Sequence, residues 1–539
     1  MDVKLKDKYD VIVIGGGITG AGTARDCAMR GLSVLLIERF DFAHGATGRN
    51  HGLLHSGARY AVTDQESATE CIQENTILRK IAAHCVEPTD GLFITLPDDD
   101  LAYQSTFVES CKRAGIRADI IDPEQAKILE PSVNPTLIGA VRVPDASVDP
   151  FRLTVANVTD ARLHGADTVT YHEVTDLIID QNRVVGVKMR DQRTGEISQA
   201  YASLTINAAG IWGMLVAKKV GITVNMFPAK GALLIFGHRV NNMVINRCRK
   251  PANADILVPD DAVCVIGTTS DRVPIEQCDD MRVTDEEVKV LLQEGARLAP
   301  ALATTRILRA YAGVRPLVAS DNDPSGRSIS RGIVVLDHAT RDGMEGFVTI
   351  TGGKMMTYRL MAEMVTDLAC KKLNVSKSCA TATTPLPGSE AKTAPEAMRT
   401  YSFAQKSADG RHGTYTKDIH TSDSLHSALV CECEGVSVAE VDYAVAHQNV
   451  TNLIDLRRRT RMGMGTCQGH LCSCRAAGEL CQGNHAQEAA EDLASFVNER
   501  WKGIKPVAWG AALCEAQLTA TVYEGMCGLN QFVKEGGEK

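Results

Sequence analysis

A glycine-rich turn between a strand and a helix near the start constrains this chain most. An apolar run over 10–14 enters the pattern Gly15-x-Gly17-x-x-Gly20, a helical stretch follows, and a second strand-like run ends on Glu38. This order predicts a complete dinucleotide-binding βαβ unit, although a glycine turn without a ligand is the alternative interpretation.

Each residue of the unit has an expected role. Gly15 permits the tight turn, Gly17 lets the backbone approach a pyrophosphate, and Gly20 allows close packing of the helix. The N-terminus of that helix attracts phosphate charge. Glu38 is expected to bind a ribose diol, which completes the site for the nucleotide.

The composition narrows the class of protein. At 539 residues the chain is long enough for two or three domains. A net charge of −8 gives no basic footprint, so nucleic acid is not an expected partner. Residues 1–8 are charged and lead into a strand, so we expect no signal peptide, and no apolar run has the length of a transmembrane segment.

Other small-residue segments suit the same ligand. The loop from Gly45 to Tyr60 is typical of backbone threading beneath a flat cofactor, with a solvated glycine-rich loop as the alternative. The backbone is expected to approach the cofactor closely at two further places. One is the end of a strand at Gly210, and the other is the turn Gly352-Gly353 between a strand and a helix. The predicted cofactor-binding residues are Gly15, Gly17, Gly20, Glu38, Arg39, Thr47, Gly48, Gly210, Gly352 and Gly353.

The middle of the chain predicts a cover for a substrate site. Runs over 226–236, 255–258 and 263–268 indicate strands of an antiparallel sheet, and 285–298 indicates a helix. Arg315, placed before a proline at a strand end, is a good anion ligand. Taken with the βαβ unit, the predicted class is mixed α/β, with a Rossmann-type cofactor domain and an antiparallel-sheet substrate domain.

The last third of the chain is rich in cysteine. Residues 425–539 contain eight of the seventeen cysteines, and with no export signal these are expected to be reduced thiols. Two close pairs, Cys431 with Cys433 and Cys467 with Cys472, predict one iron–sulfur cluster. A zinc site is the competing interpretation, and Cys474 lies near enough to replace Cys472.

The sequence also divides into predicted domains. Residues 1–384 are expected to form the cofactor and substrate domain, 385–424 a polar linker, 425–485 a small helical cluster domain and 486–539 a helical extension. The basic run at 457–461 is interpreted as compensating cluster charge, as serving a partner, or as a solvated helix face.

Together these motifs resemble the FAD-dependent glycerol-3-phosphate dehydrogenases, most of all the large subunit of the anaerobic form. The resemblance rests on the first glycine turn, His55-Ser-Gly-Ala-Arg59-Tyr60, Gly313-Val-Arg315-Pro316-Leu and Gly352-Gly353-Lys354-Met-Met-Thr-Tyr-Arg359. The C-terminal cysteines are similar to those of the bacterioferritin-associated-ferredoxin type. The resemblance implies a fold of the glutathione-reductase and D-amino-acid-oxidase superfamily.

For function, the resemblance implies FAD, a [2Fe-2S] cluster and oxidation of sn-glycerol 3-phosphate to dihydroxyacetone phosphate. It also implies two protein partners, a second flavoprotein subunit and a membrane-anchoring iron–sulfur subunit, with menaquinone as the final acceptor. The chain would lie peripherally on the cytoplasmic side of the bacterial inner membrane.

The expected catalytic residues follow from the substrate, which carries a phosphate and a secondary alcohol. Arg59, Arg315 and Lys354 supply cations, and His55 is the first choice for the base, with a histidine packed beside the flavin as the alternative. Aerobic relatives carry a histidine where this chain has Leu233. Two rival functions are a flavin amine or amino-acid dehydrogenase and a non-catalytic electron-transfer subunit.

Overall fold

The computed structural model describes residues 5–318, 332–391, 394–420, 425–481 and 486–532. Its strands are β1 (Lys8–Ile14), β2 (Val34–Ile37), β3 (Leu53–Leu54), β4 (Val86–Glu87), β5 (Gly91–Thr95), β6 (Asp119–Ile121), β7 (Gly139–Val143), β8 (Ala146–Val148), β9 (Asp167–Val169), β10 (His172–Asp180), β11 (Arg183–Asp191), β12 (Ile197–Asn207), β13 (Met226–Phe236), β14 (Val244–Arg247), β15 (Ile256–Pro259), β16 (Cys264–Gly267), β17 (Asp271–Arg272), β18 (Ile307–Val318), β19 (Ile333–Asp337), β20 (Phe347–Gly352), β21 (Leu429–Cys431) and β22 (Val436–Ser437).

The helices of the same residues are α1 (Ile18–Met29), α2 (Gln65–Ile81), α3 (Tyr103–Arg113), α4 (Pro123–Leu129), α5 (Pro150–Leu163), α6 (Gly213–Lys218), α7 (Asp285–Leu298), α8 (His338–Asp342), α9 (Tyr358–Leu373), α10 (Pro395–Thr400), α11 (Phe403–His412), α12 (Thr416–Ile419), α13 (Val438–His447), α14 (Leu453–Thr460), α15 (Ser473–Cys481), α16 (Ala486–Ile504) and α17 (Gly510–Ala520). Among these helices none is both long and apolar enough to cross a bilayer.

The first sheet is built on the predicted βαβ unit. β1 lies between β2 and β12, and β1, β2, β9, β12 and β20 run parallel. The apolar residues of β1 and β2 are buried because α1, α5 and α9 cover one face of the sheet. The other face packs against buried residues that include Val187, Met189 and Ile211, and burial on both faces explains the uninterrupted apolar runs in the sequence. The glycine turn lies at the carboxyl end of β1, where ligands bind in such sheets.

The second sheet is the predicted substrate cover. β13 pairs antiparallel with β16 and β18, and the sheet continues through β15, β14, β5, β7 and β6. α7 packs against it through Val288, Leu291 and Leu298. A capping box between Thr284 and Glu287 begins this helix at the predicted residue.

The segment interpreted as a linker is instead packed, helical structure over much of its length. Residues 395–412 include α10 and α11, and Arg411 and His412 at the end of α11 are buried. Arg411 binds the buried carboxylate of Glu440 at 2.6 Å, which attaches α11 to the cysteine-rich domain. The polar composition that suggested a linker reflects the exposed faces of α10 and α11, while Arg411 and His412 are buried against Glu440.

The basic run is neither a solvated face nor a surface for a partner. Arg458 and Arg459 are buried and both bind Asp41, which follows β2 in the first domain. Arg461 binds Asp149 at 3.1 Å and Asp260 at 2.9 Å. Three of the arginines therefore hold the cysteine-rich domain against the first domain.

Candidate active site

A cavity of about 420 Å³ lies between the two large sheets. Its lining includes the turn residues Gly15 and Gly17, the end of β2 at Glu38, and the start of the segment after β20. The lining also includes Arg59 and Arg315, which are expected to bind the substrate. The cavity therefore joins the expected nucleotide site to the expected substrate site.

The glycine turn leaves no room for side chains. Gly15 has a φ of +108°, and a Cβ there would lie 2.7 Å from the carbonyl oxygen of Ala208. A Cβ on Gly20 would collide with the carbonyl oxygen of Gly15, so Gly20 serves the packing of α1 against the turn. This geometry fits the close backbone approach that a pyrophosphate requires.

Glu38 lies where a ribose-binding acid is expected. Its carboxylate accepts hydrogen bonds from the backbone N–H of Gly16 at 2.6 Å and of Phe40 at 2.9 Å. Burial raises the pKa of Glu38, and the two N–H donors act in the opposite direction. The donors fix the carboxylate at the cavity wall.

The loop after β2 forms the floor of the cavity. Thr47 accepts a hydrogen bond from the first N–H of α1 at 3.1 Å, and Arg39 stacks over the rings of Phe40 and Trp212. Gly48 is not among the residues that line this cavity. A Cβ at Gly48 would point to the carbonyl of Ala43 and the ring of Phe151.

The other predicted glycines lie on the opposite wall. Gly210, Gly352 and Gly353 line the cavity, and all three have positive φ values. Such backbone favours glycine and permits close approach of a ligand.

Arg59 is held by the second sheet. It binds the buried carboxylate of Asp255 at 3.2 Å and the carbonyl of Ala252 at 3.3 Å, both through Nη2. Its Nη1 is buried without a hydrogen-bond partner among the described residues. The guanidinium of Arg59, which lines the cavity, is therefore anchored through Nη2.

Arg315 reaches the same cavity from β18. Its Nη2 donates to the hydroxyl of Thr268 and, at 3.2 Å, to the carbonyl of Thr269. A Cβ on Gly231 would lie 2.6 Å from this guanidinium, so glycine at 231 makes room for it. The planar fork is thereby oriented for an anion.

Lys354, Tyr60 and His55 form a row at the centre of the cavity. The ammonium of Lys354 lies 4.9 Å from the centroid of the Tyr60 ring, and the ring of Tyr60 lies 5.5 Å from that of His55. His51 follows at 5.8 Å from His55. All four residues line the cavity, so the structure brings the predicted cations and the predicted base together.

The backbone on both sides of His55 is fixed by buried polar groups. Before His55, Asn75 donates to the carbonyl of Leu54 at 3.0 Å. After it, Asn75 also donates to the carbonyl of His55 at 3.2 Å, and Asp145 accepts from the N–H of Ser56 at 2.7 Å. The sequence analysis missed these supports and the lining residues Trp212 and His51. Trp212 stands two residues after Gly210, close to the predicted approach of the backbone to the cofactor.

Leu233, the position of the missing histidine, is a core residue in this chain. It is 1% exposed on β13, and a Cβ on Gly267 would meet its side chain. Leu233 does not line the cavity. His55 and His51 line it together with the candidate cations.

The four predicted cysteine ligands lie together in the C-terminal domain. Their thiols contact in the order Cys431, Cys472, Cys467, Cys433. Hydrogen bonds from the Cys472 thiol lower the pKa of Cys431 and of Cys467, and the same contacts raise the pKa of Cys472. Four thiols held this close supply the ligand set of a [2Fe-2S] cluster.

Two further observations bear on the metal. Among the described residues, no three His, Cys, Asp or Glu side chains are arranged to hold a single metal ion. Cys474 is exposed and its thiol contacts Tyr523 and Cys527 rather than the four clustered thiols.

Comparison with known families agrees with both sites. A family model described as FAD dependent oxidoreductase matches residues 10–359, and a BFD-like [2Fe-2S] binding domain matches residues 429–479. The chain therefore has an FAD-binding domain and a [2Fe-2S] domain.

Among curated proteins, the chain is 60% identical to the A subunit of the anaerobic glycerol-3-phosphate dehydrogenase of Escherichia coli, covering 99% of this chain and 100% of the relative. It is 59% identical to the corresponding protein, of the same name, from Haemophilus influenzae, covering 97% of this chain and 93% of the relative.

A solved structure shares the fold. The glycerol-3-phosphate dehydrogenase from Bacillus halodurans, complexed with FAD, aligns with a TM-score of 0.70 at 23% identity, covering 93% of this chain and 96% of that one. The family model covers more than half of the chain, and the curated relatives match nearly all of it. The chain therefore belongs to the family of FAD-dependent oxidoreductases that contains the A subunits of anaerobic glycerol-3-phosphate dehydrogenases.

Proposed function

We propose that this chain oxidises sn-glycerol 3-phosphate to dihydroxyacetone phosphate. The observation that carries the proposal is the meeting of Arg59, Arg315 and Lys354 with His55 in one cavity beside the nucleotide turn. The names of the relatives that are 59–60% identical over nearly the whole chain support the same substrate.

The arginines bind the phosphate in this proposal. A guanidinium binds phosphate through parallel hydrogen bonds, and each charge-assisted contact contributes about 1.5–3 kcal/mol. Arg315 is oriented by Thr268 and Thr269. Arg59 is anchored at the cavity wall by Asp255. The rigid anchors reduce the entropy lost on binding.

His55 takes the hydroxyl proton, and Lys354 stabilises the oxygen as it becomes negative. Oxidation of a secondary alcohol removes a hydride from carbon and a proton from oxygen, and bound FAD supplies the hydride acceptor. An imidazole has an ordinary pKa near working pH, which suits a general base. Asn75 and Asp145 hold the backbone around this histidine.

Gly15, Gly17, Glu38, Arg39, Thr47, Gly210, Gly352 and Gly353 hold FAD, with Gly20 and Gly48 shaping the surrounding backbone. Cys431, Cys433, Cys467 and Cys472 ligate the [2Fe-2S] cluster, which carries one electron at a time. We infer that two further subunits, a second flavoprotein subunit and a membrane-anchoring iron–sulfur subunit, take part in passing the electrons to menaquinone. The chain then lies peripherally on the cytoplasmic side of the inner membrane.

A steady-state assay of the purified, cofactor-loaded chain with an artificial dye tests the substrate. The candidates are sn-glycerol 3-phosphate, glycerol and a set of amino acids. We expect turnover with the phosphate ester alone at micromolar concentration, because glycerol lacks the group that the cations bind. Equal turnover of glycerol, or turnover of an amino acid in its place, would contradict the proposal.

A further inference from the structure

A second, smaller cavity of about 90 Å³ lies where the cysteine-rich domain meets the first domain. One wall includes Asn50 and His51, which also line the large cavity. The opposite wall includes Met464 and Gln468, from the loop that leads to Cys467 and Cys472. The smaller cavity therefore touches both functional loops.

The lining of this cavity is strongly cationic. Arg309 comes from β18, Arg457 from α14 and Arg500 from α16. Arg457 is 7% exposed and Arg500 is 5% exposed. The Nε atom of each of the three arginines is buried and has no hydrogen-bond partner in the part of the chain that the structure describes.

The carboxylates of the lining do not neutralise these three arginines. Asp149 and Asp260 are bound by Arg461, at 3.1 and 2.9 Å. Glu499 attracts Arg309, Arg457 and Arg500, but one carboxylate faces three guanidiniums. Burial, followed by repulsion from neighbouring arginines, lowers the pKa of both Arg457 and Arg500. Buried charge of one sign is costly without a counterion.

We propose that this cavity is a binding site for a tetrahedral oxyanion of the phosphate or sulfate class, held by Arg309, Arg457 and Arg500. The cavity is several times larger than the space that one water needs, and guanidinium forks match the oxygens of such an anion. The walls of the cavity come from both domains, so a bound anion would connect the two domains. It would stabilise the contact between the loop that contains His51 and the loop that contains Cys467.

Calorimetric titration of the full-length, cofactor-loaded protein with inorganic phosphate tests the site. Every protein in the test carries Arg315→Ala, which weakens phosphate binding at the substrate site, and potassium chloride keeps the ionic strength constant. We expect one phosphate per chain, and at least tenfold weaker binding when Arg457→Met is added. Sulfate should compete with phosphate, and chloride should not.

Lys505→Met is the matched control, because it removes one positive charge at an exposed position directly after α16. This variant should bind phosphate as its parent does. If Arg457→Met fails to load FAD and iron, Arg309→Met takes its place and should show the same loss. Absence of phosphate binding in the parent, or equal binding in all variants, would overturn the proposal.

Discussion

Asp41 binds Arg459 across the boundary between the flavin domain and the [2Fe-2S] domain, with Oδ1 2.5 Å from Nη2 and both side chains fully buried. Arg458 binds the other oxygen of Asp41 at 2.9 Å. Burial acts to raise the pKa of Asp41, but the two arginines outweigh it and the pKa is lowered. One carboxylate thus secures two cations of the neighbouring domain.

Replacing Asp41 by asparagine should destabilise the docked domains by about 3–5 kcal/mol, because two buried guanidiniums lose their counterion. Denaturant unfolding and limited proteolysis measure the effect. Asp279→Asn is the control, since it removes the exposed partner of Arg39 and should cost under about 1 kcal/mol. Equal losses of unfolding free energy in Asp41→Asn and Asp279→Asn would contradict the role of Asp41 in holding the two domains together.

The same boundary should respond to pH through Asp455, which accepts a hydrogen bond from Tyr171 at 2.5 Å. Burial, then the charge of Asp41, raises the pKa of Asp455 to about 6. A raised carboxyl pKa gives stability that is present below the unfolded pKa and is lost as pH rises through 6. We expect wild type to lose about 1.4 kcal/mol relative to Asp455→Asn between pH 5 and 7. A difference that does not change with pH would refute this assignment.

Flavin retention should depend on Glu38. Glu38→Ala removes the acceptor for the N–H groups of Gly16 and Phe40 and the expected ribose contact, so FAD affinity should fall about tenfold to a hundredfold. Flavin content after dialysis is the measurement. Glu173→Ala is the control, because Glu173 lines the same cavity but binds Arg190 at the surface. Loss of flavin from the control alone would point to a different ribose ligand.

Arg315→Ala should raise KM for sn-glycerol 3-phosphate about tenfold to a hundredfold, since one charge-assisted contact is lost. The KM of Arg315→Lys should lie between those of the wild type and Arg315→Ala, because lysine keeps the positive charge and loses the planar fork of the guanidinium. Steady-state kinetics with a dye measure both. The control Arg282→Ala removes an exposed ion pair with Asp280 and should leave KM unchanged. An unchanged KM in Arg315→Ala would exclude Arg315 from the phosphate site.

Cys467→Ser should separate two activities. Bleaching of FAD by substrate and reduction of a dye should persist, while quinone reduction in the assembled membrane complex should fail, because electrons leave the flavin through the cluster. Iron and sulfide analysis and electron paramagnetic resonance should show loss of the cluster.

Cys474→Ser is the matched control, and the cluster should survive because Cys474 contacts Tyr523 and Cys527. Loss of iron in Cys474→Ser would instead identify Cys474 as a ligand. One zinc and no acid-labile sulfide in the wild type would contradict the cluster assignment of these thiols.

The sequence by itself determined the parts of this protein that depend on local pattern. Gly15, Gly17 and Gly20 indicated the turn because only glycine fits backbone that close, and the run ending at Glu38 placed the acid. β13 and α7 begin and end at the expected residues, since a largely apolar run and a capping box are local signals. Two cysteine pairs predicted the cluster for the same reason.

Only the tertiary structure decided what depends on distant partners. Arg457, Arg458, Arg459 and Arg461 look alike in sequence, yet three of them bind carboxylates and Arg457 faces the smaller cavity. Residues 395–412 resemble a polar linker in sequence because Glu440, the partner that buries Arg411, is far along the chain. The energy of a buried charge is set by groups that folding brings near it, and no local pattern contains those groups.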